Sequence, residues 1–373
     1  MSKWEEKRLE DIIDVNPPVK LKKGESYPFI DIDKVSPTRR SVTNEDVKIY
    51  DGQSSSKFCD GDTVFSRITP CLENRKIAKV AIEGDAAFGS TEFYVFRAKK
   101  KKADARFTYY LTSSDAVVLP AINSMTGASG RQRADKRFIQ RLKLNLPDLP
   151  TQERIADILS TYDDLIESNN RRIELLEQTA QELYKEWFVR FRFPGYENAK
   201  FEDGMPEGWE CCRLGKILSF GAGKTRPKSG ETYPVYGGNG ILDYCNNYNS
   251  ENAIIIGRVG VYCGTVYYEP DKCWISDNAL FAESKNSMHF YNYYLLKNMN
   301  LNARQIGTGQ PLITQGLLNK IRILLPAESL MMKYNQIASE LLKQQDLLRK
   351  MNVNIAAQRD MLLPRLMSGK LEV

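Results

Sequence analysis

Apolar side chains in the middle of the chain recur at alternating intervals of four and three residues. The series consists of Ile155, Leu159, Tyr162, Ile166, Asn169, Ile173, Leu176, Ala180, Leu183 and Trp187. A seven-residue repeat of this kind predicts a long amphipathic helix of the coiled-coil type. We expect Thr151 to cap its N-terminus, because a threonine hydroxyl can accept a backbone N–H of the first turn. The sequence Phe193-Pro194-Gly195 is expected to stop it.

A second series of the same kind lies near the end of the chain. It consists of Ile337, Leu341, Gln344, Leu348, Met351, Ile355, Gln358 and Leu362. When Ile155 is aligned with Ile337, seven of the 22 residue pairs within 155–176 are identical. Because an apolar stripe must be buried against a partner, we expect the two helices to pair antiparallel, with Asn169 fixing the register and Pro364 breaking the second helix. The alternative is that each helix packs only on its own neighbouring block.

The rest of the sequence forms two blocks in which short apolar runs alternate with Gly, Asp and Asn turns. These runs predict strands at 62–68, 76–82 and 92–96, and again at 253–259, 262–268 and 278–282. Segments 109–119 and 290–299 predict short helices. Each block is therefore expected to be α+β with a mixed sheet, and segment 196–209 to be the linker into the second block.

Several short sequences occur twice in the same order. WEEKRL at 4–9 returns as WECCRL at 209–214, and LKLNLP at 142–147 returns as IRILLP at 321–326. Tyr27-Pro28 returns as Tyr233-Pro234. Matches in the same order predict an internal duplication, in which the chain runs block, helix, block, helix.

Charge and cysteine content narrow the classes of function. The net charge is +6, yet residues 151–188 contain only four Lys and Arg against nine Asp and Glu. Two basic blocks separated by an acidic helix favour a polyanionic partner and leave an acidic helix face for another protein. Seven cysteines without a C-x-x-C pair, and an N-terminus without an apolar signal, indicate a reducing cytoplasm rather than a disulfide framework or a zinc ribbon.

Motifs for catalysis are incomplete. The single histidine, His289, lies in an aromatic stretch and is expected to pack or to be displayed rather than to react. Asn16-Pro17-Pro18-Val19 resembles an adenine methyltransferase motif, but Val19 stands where an aromatic ring would stack on a flipped base. Gly223-Lys224-Thr225 lacks the first glycine of a phosphate loop. The sequence therefore predicts no catalytic site.

Basic residues on glycine-rich loops point instead to recognition. Residues 131–143 contain six Lys and Arg against one acid, and they follow the flexible segment 126–130. The second block has a similar glycine-containing segment at 307–310. Such loops suit contacts with phosphates and base edges, and the alternative is a solvated basic loop.

Taken together, these features resemble the DNA-specificity (S) subunit of a type I restriction–modification system. The resemblance is carried by the two junctions between a strand, a proline and a long helix, with QERIA at 152–156, DDLIE at 163–167 and Trp187-Phe188. The second block adds YPVYGGNG at 233–240, GRVG at 257–260, WISDN at 274–278 and GTGQP at 307–311. The resemblance covers essentially the whole chain and departs at the end of the second helix, which has Pro364 instead of Trp-Phe.

The resemblance implies two strand-rich target-recognition domains separated by two long antiparallel coiled-coil helices, with a pseudo-two-fold duplication. The first domain would span 1–150, the first helix 151–193, the second domain 194–327 and the second helix 328–373. The implied function is non-catalytic recognition of a split, asymmetric site in double-stranded DNA. Two methyltransferase (M) subunits and, in the full complex, restriction (R) subunits are the implied partners, and these partners would hold S-adenosylmethionine, ATP and Mg²⁺.

Together with the basic loops, this resemblance gives a set of candidate DNA contacts. They are Ser66, Arg67, Arg75, Lys76, Arg131 and Arg133 in the first block and Asn239, Arg258, Asn278, Thr308 and Gln310 in the second. The paired helices would separate two half-sites by about one turn of B-DNA, ~34 Å. A stand-alone adenine methyltransferase and a coiled-coil scaffold that binds no DNA are the two rival functions.

Overall fold

The chain forms two compact units, each built from one sequence block and part of both long helices. The computed structural model describes residues 4–44, 46–128, 130–202, 204–304 and 311–373. Unit 1 comprises residues 1–169 and 351–373, and unit 2 comprises residues 170–350. Among the described helices, none has the length and apolarity needed to cross a membrane.

Unit 1 contains two main sheets with a buried apolar layer on each. The five-stranded sheet has the order Ile13–Val15, Phe93–Ala98, Thr63–Ser66, Ile77–Val80, Ser41–Val42. The four-stranded sheet has the order Asp46–Ile49, Ser26–Ile30, Ala87–Gly89, Ser56–Phe58. Phe65 and Phe96 pack with Ile155 and Leu159 of the first long helix. The three strands predicted for this block are confirmed, with bounds shifted by a few residues.

Unit 2 is organised around one mixed six-stranded sheet. Its strand order is Leu218–Ala222, Ala279–Ser284, Ser250–Gly257, Val266–Ile275, Tyr233–Gly237, Gly240–Cys245. The three predicted strands are present, although the middle one begins at Val266 rather than at Tyr262. The predicted linker contains a 3₁₀ turn at Tyr196–Asn198 and a short antiparallel pairing of Phe201–Glu202 with Met205–Pro206.

The duplicated hexapeptides form the same structure in both units. Trp4–Arg8 pairs antiparallel with Lys143–Pro147, and Glu210–Arg213 pairs antiparallel with Arg322–Leu325. In each case the strand that opens the block is tied to the strand that leads into a long helix. The internal duplication is therefore structural as well as sequential.

The short helices differ from the prediction at one point. The segment predicted as one helix over 109–119 forms two, Ala105–Ser113 and Asp115–Asn123, because Ser114 has an extended backbone that interrupts the helix. The second block has the predicted helix at His289–Asn298. The remaining short helices are Leu9–Ile12, Lys136–Gln140 and Gln315–Lys320, with 3₁₀ turns at Leu214–Lys216 and Leu301–Arg304.

The two long helices extend further than their apolar repeats. The first spans Leu149–Phe188. Thr151 lies inside it and is buried, so the prediction that Thr151 is the cap was wrong; Asp148 accepts the Thr151 N–H at 3.2 Å instead. The second spans Glu328–Met367 and passes through Pro364, which was predicted to break it. A proline in the last turn removes only one hydrogen bond of a helix that is already ending, which explains its tolerance.

Within each unit the two helices pair antiparallel, as predicted. In unit 1, Asn169 donates to Asn352 at 2.8 Å, and Asp163, earlier on the first helix, meets Arg359, later on the second. In unit 2, Tyr334 donates to the Ala180 carbonyl at 2.8 Å. Asn169 is buried and hydrogen-bonded across the pair, as a register-fixing residue would be. The helix segments pack on the block of their unit as well as on each other.

Candidate nucleic-acid interface

In unit 1, the loop after strand Thr63–Ser66 is joined to the glycine-rich loop that precedes the helix Lys136–Gln140. Ile68 and Thr126 both form β-bridges with Arg133. The Thr69 N–H donates to the Gln132 carbonyl at 3.0 Å, and the Ala134 N–H donates to the Arg67 carbonyl at 2.8 Å. The two loops are therefore held together by backbone hydrogen bonds, and this brings Arg67, Arg131 and Arg133 into one region.

An acid that the sequence did not single out controls the charge of this region. Glu92 accepts hydrogen bonds from Arg133, at 2.9 and 2.5 Å, and from Arg67 at 3.1 Å. The Arg133 guanidinium, followed by Arg67, holds the pKa of Glu92 below its usual range. The Arg131 side chain is exposed and makes no hydrogen bond or ion pair with the residues that the structure describes, so it is the open cation of this loop.

Three other candidates of unit 1 lie in different surroundings. Ser66 is fully buried, so its side chain lies inside the sheet and not on a surface that DNA could reach. Arg75 binds Asp115 at 2.5 Å and the Ser113 carbonyl at 3.2 Å. Lys76 donates to the Ile32 carbonyl at 2.9 Å. These contacts tie Arg75 and Lys76 to the unit's own framework.

In unit 2, Arg258 occupies the corresponding place after strand Ser250–Gly257. Val259 forms a β-bridge with Leu312, and the Ile313 N–H donates to the Arg258 carbonyl at 3.0 Å. The Arg258 N–H donates to the Asn278 carbonyl at 3.0 Å, and its guanidinium contacts the Asp277 carbonyl at 3.4 Å. Arg258 and the exposed Asn278 are thereby brought together.

A glycine turn places Asn239 beside these residues. A Cβ atom at Gly238 would lie 2.9 Å from the Val259 carbonyl oxygen and 3.6 Å from that of Asn278, so only glycine lets the turn approach this closely. The Asn239 side chain is exposed. Thr308 and Gln310, the two other candidates of this block, lie outside the described residues.

The two regions have the same construction. In each, an arginine directly after a sheet strand accepts a backbone hydrogen bond from the segment that leads into a short helix. That helix is capped by Asp135 on the Phe138 N–H in unit 1 and by Thr314 on the Leu317 N–H in unit 2. The side chains presented are different, with paired arginines and an acid in unit 1 and an arginine with asparagines in unit 2.

Known proteins share both the sequence and the fold. Residues 1–178 and 206–352 match the model of the type I restriction modification DNA specificity domain. The chain belongs to this family. The type I restriction enzyme MjaIX specificity subunit of Methanocaldococcus jannaschii is 23% identical over 99% of this chain and 94% of the relative. The HindI specificity subunit of Haemophilus influenzae is 32% identical over 43% of this chain and 34% of its own length.

A solved structure supports the fold. The crystal structure of the S subunit of a type I restriction–modification system from M. genitalium matches 98% of this chain and 96% of its own, with a TM-score of 0.55 and 17% identity. Two strand-rich domains with long antiparallel helices are thus the shared architecture of this chain and its family.

In this member of the family, the residues of the incomplete catalytic motifs have structural contacts. The Asn16 side-chain oxygen accepts a hydrogen bond from the Val95 N–H at 2.8 Å, and the Asn16 backbone N–H donates to the Val95 carbonyl at 2.7 Å, next to the edge strand of the five-stranded sheet. His289 packs edge-on against Tyr268 at 5.6 Å, and burial lowers its pKa. Within the described residues, no group of three or more His, Cys, Asp or Glu side chains is placed to hold a metal ion.

Apolar residues at the tip of the unit 2 loop were missed by sequence reasoning. Val261 is 88% exposed and Tyr262 is 50% exposed, three and four residues after Arg258. The Cys263 N–H donates to the Gly260 carbonyl at 3.0 Å, which holds the tip in a turn. Gly260 and Gly264, both with positive φ, were the available signal that a tight turn projects these side chains.

Proposed function

We propose that this chain reads a split, asymmetric DNA site as the specificity subunit of a type I restriction–modification complex, with one half-site for each unit. The observation that carries the proposal is that one loop arrangement is built twice, with different side chains. Equal frameworks with unequal side chains would bind two DNA segments in the same manner and select two different sequences.

At each interface, the polar side chains suit different groups of the DNA. Arg131 is the open cation of its loop in unit 1 and suits a phosphate, while Arg67 and Arg133 are partly neutralised by Glu92 and suit oriented contacts to base edges. In unit 2, Arg258, Asn239 and Asn278 offer donors for purine edges. Val261 and Tyr262 add an apolar tip of the kind that contacts a thymine methyl group.

Catalysis would belong to partner subunits in this proposal. The acidic first helix is suited to bind M subunits. Two M subunits would bind the duplicated structure, and R subunits would join the full complex. These partners would supply S-adenosylmethionine, Mg²⁺ and ATP, and the complex would act on DNA in the cytoplasm. The helix pair would fix the spacing of the half-sites.

Sequencing of methylated bases tests the central proposal. The chain is expressed with its M partner in a host that lacks methylation of its own. We expect one methylated motif with two unlike half-sequences and a fixed gap. Methylation at a continuous motif, or methylation by the chain without its partner, would contradict the proposal, and tight S-adenosylmethionine binding by the isolated chain would favour the rival methyltransferase.

Replacing Arg131 by alanine should weaken DNA binding by the assembled complex about fivefold at moderate salt. The dependence of log affinity on log salt should become shallower by about one, as expected for the loss of a single phosphate contact. The change can be measured by fluorescence anisotropy over a salt series. Lys20→Ala removes an equal charge from an exposed position of the same unit and should leave affinity unchanged. Equal affinities of the Arg131 variant and the wild type would favour the scaffold function.

A further inference from the structure

In each unit, a cluster of polar side chains connects the sequence block to the long helices, and the two clusters lie at equivalent positions of the duplication. The sequence Tyr-Tyr-Leu occurs at 109–111 and again at 293–295, on the short helices that face the long ones. Tyr110 in unit 1 and Tyr294 in unit 2 each donate a hydrogen bond to a carboxylate on the first long helix. The equivalent tyrosines thus contact different acids.

The unit 1 cluster joins an acid and a cation from the two long helices. Asp163 is 3% exposed. It accepts a hydrogen bond from Tyr110 at 2.5 Å and forms an ion pair with Arg359 at 2.5 Å. The charge of the buried carboxylate is therefore balanced by the opposite helix.

The unit 2 cluster balances its acid in another way. Glu177 accepts hydrogen bonds from Tyr294 at 3.0 Å and from Lys297 at 2.5 Å, so its cation comes from the short helix. The opposite long helix contributes a neutral residue, because Gln345 is fully buried and donates to Glu177 at 3.3 Å.

The residues of the two clusters differ at positions that correspond in the duplication. In the alignment that places Ile155 on Ile337, Asp163 corresponds to Gln345, and Glu177 corresponds to Arg359. On the short helices, Ser113 corresponds to Lys297 when the Tyr-Tyr-Leu sequences are matched. Each cluster is neutral only with the helix partner it has in this chain.

We infer that the two clusters form a matching code that pairs the first long helix with the second and disfavours its pairing with the first helix of another copy. In such a self-pair, Glu177 of the other copy would take the position of Arg359. Asp163 would then face a second carboxylate in a buried site. Arg40 lines the same cavity but already binds Asp164 at 2.6 Å, so the lost cation is not replaced, which is unfavourable. The code would keep two unlike target-recognition domains together in one molecule.

The substitution Arg359→Glu places a second carboxylate next to Asp163 within the full-length chain, as the self-pair would. We expect amide exchange in residues 155–169 to accelerate at least about 100-fold relative to wild type, because a buried ion pair is replaced by two like charges. The neutral control Arg359→Gln should exchange about tenfold more slowly than Arg359→Glu. Exchange in residues 331–345 of unit 2 should not change, which shows that the effect is local.

A transplanted cluster provides the decisive comparison. The triple variant Ser113→Lys, Asp163→Gln and Arg359→Glu reproduces the unit 2 cluster in unit 1. A cavity of about 350 Å³ lined by Ser113, Asp163 and Arg359 offers room for the lysine. We expect exchange in residues 155–169 to return to within about tenfold of wild type.

Two results would overturn the inference. One is a triple variant that exchanges as fast as Arg359→Glu, and the other is equal exchange in Arg359→Glu and Arg359→Gln. If Arg359→Glu is recovered only unfolded, the triple variant is compared with Arg359→Gln: slower exchange in the triple variant supports the code, and faster exchange overturns it. None of these readouts involves DNA, so they are independent of the proposed function.

Discussion

Replacing Tyr334 by alanine should destabilise unit 2 by about 3–5 kcal/mol, the range for removing a large buried aromatic side chain. Tyr334 is fully buried, and its ring lies 5.3 Å from that of Phe188 and 6.0 Å from that of Trp187. Its hydroxyl donates to the Ala180 carbonyl on the first helix. The substitution removes this contact between the helices and leaves a cavity where they meet the block.

Hydrogen exchange can assign this effect to unit 2. Amides of residues 177–188 and 331–345 should exchange several hundredfold faster, while those of unit 1 should change little. Tyr334→Phe keeps the ring and should cost about 1 kcal/mol, the value of one hydrogen bond. Tyr244→Ala, at a position that is 46% exposed, should cost less than about 0.5 kcal/mol. A Tyr334→Ala chain within about 1 kcal/mol of wild type would show that this aromatic cluster does not hold the helices.

Periodicity predicted the helices well because it is a local property. The four–three spacing identified Leu159, Ala180 and Trp187, all of which are buried. It also assigned Tyr162 to the seam, whereas the neighbouring Asp163 is the buried residue. Asp163 is stabilised by Tyr110 and Arg359, which are far from it in sequence, and no local pattern reveals such partners.

Only part of the candidate interface could be predicted, because some of its side chains have partners that are far away in sequence. A run of basic residues next to glycines predicted Arg131 and Arg133 as DNA contacts, and the GRVG motif predicted Arg258. Glu92 was missed because it stands on another loop and meets the arginines only after the sheet has formed. Ser66 was included because the strand bounds did not show on which side of the sheet it would lie. Whether a polar residue reaches the surface depends on its place in the folded sheet and turns, which residue type alone does not show.

A four-residue insertion in the segment 179–183 should lengthen the gap of the target site and leave both half-sequences unchanged. The segment lies on the first long helix, which contributes residues to both units. Four residues add ~6 Å to a helix and turn it by about 400°, so nearly the same face is presented after the insertion. At ~3.4 Å per base pair, we expect the gap to grow by about one to two base pairs. Sequencing of methylated bases in cells that carry the variant and its M partner measures the gap directly.

Two further variants separate a change of length from a change of surface. A seven-residue insertion keeps the heptad phase and should lengthen the gap more than the four-residue insertion does. Gln181→Ala alters the same segment without changing its length and should leave the motif as it is. A changed half-sequence in either insertion variant would show that this segment contributes to base recognition. Loss of all methylation would show that this segment serves only the packing of unit 2, around the buried Ala180. Either result would show that the helix pair does not set the spacing of the half-sites.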